Sequence, residues 1–158
     1  MGQVDPWWGL EVRIPWRWVL ALGWLVILSL SAYERLIPAS AYMQVRSVRV
    51  EDTTVGIAPI MLVDRTIHAD FTAVWRADVE RKMNNGRYVQ ICTSGGLGNY
   101  ATDNDLPDPL DLDWWTYPIK CTPTVAGKYR IETTWTITLP GGLTKEVRVL
   151  SNTFEVRP

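Results

Sequence analysis

Imidazole is almost missing from this chain: His68 stands alone, so a histidine-built metal or proton-relay centre has no second member. Cysteine occurs only at Cys92 and Cys121, with no Cys-x-x-Cys, which argues against a metal site built on thiols. A surplus of positive charge is missing too. The formal net charge is −1, and it stays balanced when the chain is divided. Residues 1–45 carry three Arg and three acids, while the rest carries thirteen basic and fourteen acidic side chains. No basic face is offered, which argues against nucleic acid as a partner. Helical periodicity is absent beyond residue 45, so the larger part of the chain is expected to be β. Tryptophan, by contrast, is abundant. There are nine, and Trp7, Trp8, Trp16, Trp18 and Trp24 crowd the first 24 positions. Indoles suit a membrane interface, where the ring enters the acyl chains and the N–H stays near the headgroups.

The stretch from Trp18 to Tyr33 is uncharged, and as a helix it would be about 24 Å long, short of a hydrocarbon layer of roughly 30 Å. Pro15 suits a first helical residue and Pro38 is the next obligate break, so the expected transmembrane helix covers 15–37. Arg17 and Arg35 then lie near its ends, where long cationic side chains reach the interface. Residues 1–14 form a Trp-rich tail expected at that interface, with Trp7, Trp8, Trp16, Arg17, Trp18 and Arg35 as the interfacial set. The helix reads as an uncleaved signal anchor, with the N-terminus cytoplasmic and the C-terminal domain outside the cytoplasm. Ala39-Ser40-Ala41 supplies a small-x-small pattern, so cleavage after Ala41 and secretion of the remainder is the competing reading.

After a linker at 38–43, residues 44–158 are expected to form an all-β domain of about seven strands. Strands are expected at Gln44 to Asp52 and at Ile57 to Val63, the second bent by Pro59. Phe71, Ala73, Trp75, Ala77 and Val79 alternate with polar residues, as do Tyr129, Ile131, Thr133, Trp135, Ile137 and Leu139. Asn85-Gly86 predicts a tight hairpin with both residues at positive φ, returning through Arg87 to Thr93. Thr93 to Asp113 is read as an irregular acidic loop, and Trp114 to Lys120 as strand. A bulge is expected near Ser151-Asn152, where the alternation changes parity.

Val125-Ala126-Gly127-Lys128-Tyr129-Arg130-Ile131 resembles the approach to the next-to-last strand of immunoglobulin-like domains, where Gly-x-Tyr places a tyrosine corner. The resemblance spans 44–158 and implies a two-sheet sandwich. It departs from true immunoglobulin domains at Ile131, where the inter-sheet cysteine would stand. It says little about partners. The layout of a Trp-rich anchor ahead of one small β-domain is also similar to single-pass proteins of bacteria and their phages.

Candidate chemistry is sparse. Cys92 and Cys121 could close a disulfide, worth about 3 kcal/mol, or remain two buried thiols. Asp103, Asp105 and Asp108 begin like a calcium loop, but Pro107 takes a ligand place and no closing Glu follows. His68 and Asp70 would share a strand face, and Ser94 offers a hydroxyl, yet no motif joins the three. Ser94-Gly95-Gly96-Leu97-Gly98 resembles a phosphate-cradling loop without the helix that such a loop needs. Neither catalysis nor a cofactor is expected. Trp114, Trp115 and Tyr117 are the expected partner contacts: on a strand one Trp would enter the core and the other stay exposed. The expected role is a membrane-anchored binding module, with the bilayer and a protein as partners. The alternative class is a structural component of an envelope or virion assembly.

Overall fold

The computed structural model describes residues 15–103, 106, 109–139 and 142–158, without the side chains of Leu30, Ser31 and Glu34. The chain divides into two compact units between Ile37 and Pro38.

Within the first unit, helix α1 covers Trp16–Leu36. Pro15 precedes it, where a missing N–H costs nothing, and Ile37 ends it in extended conformation before Pro38. Ser29 donates its hydroxyl back to the Leu25 carbonyl at 2.7 Å, which satisfies the side chain within the helix. Apolar residues lie on every face, and those described are exposed. Among the described residues no helix is long and apolar enough to cross a membrane.

The second unit is mostly β and sandwich-like. It opens with a 3-10 turn at Ala39–Ala41, within the expected linker, and then β1 (Met43–Val50). The other strands are β2 (Thr53–Thr54), β3 (Met61–Ile67), β4 (Phe71–Lys82), β5 (Tyr88–Tyr100), β6 (Gly127–Thr138), β7 (Thr144–Leu150) and β8 (Phe154–Arg157). These are eight strands among the described residues, against the seven or so expected. β1 and β3 form an antiparallel pair, and the larger sheet has the order β2-β8-β6-β4-β5, with β7 also on β6. β7 and β8 therefore run in tandem along one edge of β6, separated by Ser151, Asn152 and Thr153. At that break the Ser151 hydroxyl accepts from Ile131 N–H, and Asn152 bonds both the N–H and the C=O of Val50. One amide thus ties the small sheet to the large one.

The alternation on β4 and β6 puts Ala73, Ala77, Val79, Tyr129, Ile131, Trp135 and Ile137 inside, each at most 1% exposed. Val48, Val50 and Met61 of the small sheet meet the Val79 and Ile131 end of this face, while Met43 meets the Phe71 and Trp135 end. Fully burying an aliphatic or aromatic side chain contributes about 1.5–3 kcal/mol, so these two clusters carry the fold.

Four local expectations are corrected. The second strand is Met61–Ile67, not Ile57 to Val63: Pro59 and Ile60 precede it, and Ile60 makes only an isolated bridge to Asp111. β5 runs on to Tyr100 through the glycines read as loop. A Cβ on Gly95 would lie 2.4 Å from the Trp75 carbonyl oxygen, one on Gly96 3.3 Å from the Trp75 indole nitrogen, and one on Gly98 3.0 Å from the Tyr100 ring. Those glycines are a close backbone approach inside a ladder. In the β4–β5 hairpin only Gly86 takes positive φ, at 81°, with Asn84 and Asn85 in a preceding turn closed by Gly86 N–H to Met83 O. His68 and Asp70 lie in the β3–β4 connection, off any strand.

Candidate functional site

The segment from Ala101 to Ala126 joins β5 to β6 and builds one end of the domain. Its Leu110–Leu112 part bonds the chain before β3: Met61 N–H reaches Leu110 O, and Leu112 N–H reaches Pro59 O, each at 2.8 Å. The residues read as strand from Trp114 begin instead as a helical turn, α2 (Leu112–Trp115). Asp111 causes this: its Oδ1 accepts the Trp114 N–H at 2.8 Å and caps the turn. Thr116, fully buried, stops it by donating to Leu112 O and accepting from Cys121 N–H. The Cys92 and Cys121 sulfurs are bonded, with Cα atoms 5.7 Å apart, so the segment is fastened to β5.

The turn divides the two tryptophans. Trp115 is 3% exposed, sits edge-on to Trp75 at 6.4 Å, and directs its indole N–H at Met61 O. Trp114 is half exposed and lies edge-on to Trp115 at 5.1 Å. Tyr117 and Ile119 follow it, both well exposed. A bond from Gly56 N–H to Pro123 O brings the β2–β3 loop, with exposed Ile57, to the same segment. Neither Ile57 nor Ile119 was legible as part of this surface, because isolated aliphatic residues beside Gly or Pro give no signal. Beneath the segment, Tyr129 donates its hydroxyl to Val125 O at 2.6 Å. Burial pushes that phenol above its ordinary pKa, and the Arg81 charge offsets part of the rise.

The remaining candidates are not brought together. Asp70 accepts from Thr102 N–H at 3.1 Å, while Ser94 stands on β5 opposite Ala77, about 20 Å along the strand from Phe71. Hence His68, Asp70 and Ser94 form no relay. Asp105 and Asp108 lie outside the described residues, as do Trp7 and Trp8. Among the described residues no three metal-capable side chains cluster. Trp16, Arg17, Trp18 and Arg35 all lie on α1. An open depression of about 560 Å³ lies at the opposite end of the domain, between Tyr42, Phe71, Leu97 and Leu139. No protein-family model, no curated protein and no solved structure matches this chain.

Proposed function

We propose that the chain is a single-pass, membrane-anchored interaction module whose immunoglobulin-like β-domain is displayed outside the cytoplasm. The observation that carries this reading is α1. Its 21 residues would reach about 31 Å, against a hydrocarbon layer of roughly 30 Å, with apolar side chains on every face. A helix that is apolar all round requires a non-aqueous surrounding. The described residues alone do not amount to a span.

Two features of the second unit support display. A disulfide persists in oxidising compartments and is rare in the cytosol, so the Cys92–Cys121 bond favours an exported domain. The Tyr129 corner bond and the two packed sheets favour the immunoglobulin-like reading. Trp114, Tyr117 and Ile119 supply an exposed aromatic and aliphatic surface of the kind that anchors protein partners. A periplasmic-type reporter fused to the C-terminus is expected to be active. Activity from a cytoplasm-restricted reporter alone would contradict the orientation.

A further inference from the structure

A cavity of about 310 Å³ opens beside the disulfide, between the start of β5 and the segment leading into β6. Two cations line it, Arg81 and Lys120, together with the hydroxyl-bearing Thr122, Thr124 and Tyr129. No carboxylate is among its lining residues. One acid reaches the rim, Asp113, by accepting from the Thr122 hydroxyl. Positive charge therefore outnumbers negative at this cavity.

The two cations are held in unusual ways. Arg81 donates one terminal N–H to Ala126 O at 3.1 Å, while its Nε is buried without a partner. A buried charged donor left unpaired is costly, and such groups call for an acceptor. Lys120 has φ +59°, the left-handed region that a non-glycine residue with a long side chain seldom adopts. Backbone held in that region beside a cavity is a mark of functional sites, because the surroundings must over-determine it. Here they do: Lys120 N–H bonds Thr116 O, and Cys121 is fixed on the other side by its disulfide.

We infer that this cavity binds a small oxyanion, a carboxylate or phosphate group, between Arg81 and Lys120 with the Thr124 hydroxyl as a further donor. Arg81 supplies its guanidinium charge and the terminal N–H groups not bonded to Ala126 O, and Lys120 adds a point charge. The inference concerns the second unit alone and stands whether or not α1 enters a bilayer.

The test is isothermal titration calorimetry on the full chain in non-ionic detergent, with sodium phosphate and sodium acetate titrated at constant ionic strength made up with chloride. Saturable binding at one site is expected for at least one of the two. Tighter phosphate binding assigns a phosphate-type ligand, and tighter acetate binding a carboxylate. Lys120→Gly removes the charge at a position glycine adopts freely, so folding is kept, and it should weaken binding about tenfold or more. Lys120→Arg keeps the charge and should retain binding. Absence of saturable binding for both anions, or equal affinity in Lys120→Gly, would overturn the inference.

Discussion

On β6, Tyr129, Ile131, Trp135 and Ile137 are all at most 1% exposed; on α1, Val19, Leu22, Trp24, Leu25 and Ile27 each leave more than half of their surface open. α1 is much the more apolar of the two, yet its described side chains are exposed while the apolar ones of β6 are covered. β6 meets a second sheet and its own neighbours, and the polar residues between its core positions face the other way. Among its described residues α1 presents no polar stripe to turn toward water. Period-two alternation is the mark of an element that divides two solvents, and its absence over the 21 residues of α1 is what the proposed membrane anchoring builds on. The comparison also separates two sources of order. The β-domain carries its own core, disulfide and inter-sheet bonds, and its stability should be independent of whatever surrounds α1.

That independence can be broken experimentally. Reducing the Cys92–Cys121 bond should lower the stability of the β-domain by about 3 kcal/mol, read by chemical denaturation with and without reductant. Retention of the chain in the membrane fraction should not change. Release on reduction would show that the two regions share their stability.

A smaller effect sharpens the account of the β-domain itself. Tyr129→Phe removes the bond to Val125 O and should cost about 1 kcal/mol. Tyr100 and Tyr129 both ionise above the ordinary phenol value of about 10, because burial disfavours their charged forms. Raised values mean that their contribution is fully present below pH 10 or so and is lost as pH rises through the folded-state values. The melting temperature should therefore fall in strong alkali, and less steeply in Tyr129→Phe.

Much of this fold was legible because half-buried strands announce themselves. β4 and β6 were read from alternation; the change of parity at Ser151-Asn152 was read as a bulge in one strand, where the structure instead ends β7 and begins β8. β5 was hidden for a physical reason: Gly95, Gly96 and Gly98 have no side chains to alternate, and the Trp75 carbonyl that excludes a Cβ at Gly95 lies on β4, distant in the sequence. α2 was hidden by its brevity, since four residues cannot show a helical period. Asp111, placed to cap the Trp114 N–H, was its one local signal. Reading the pair as strand still placed one tryptophan inside and one outside, because a single helical turn also separates adjacent residues. The cationic cavity had no local signal at all. Arg81 and Lys120 are distant in the chain and meet only through the disulfide-fastened segment.

The central claim, that α1 holds the chain in a bilayer, is tested most directly by alkaline carbonate extraction of membranes carrying the native chain and Leu22→Arg/Leu25→Arg. Two arginines at mid-helix oppose insertion by about 5–7 kcal/mol. The native chain should remain in the pellet and the variant should move to the supernatant with its β-domain still folded. Extraction of the native chain by carbonate would contradict the account.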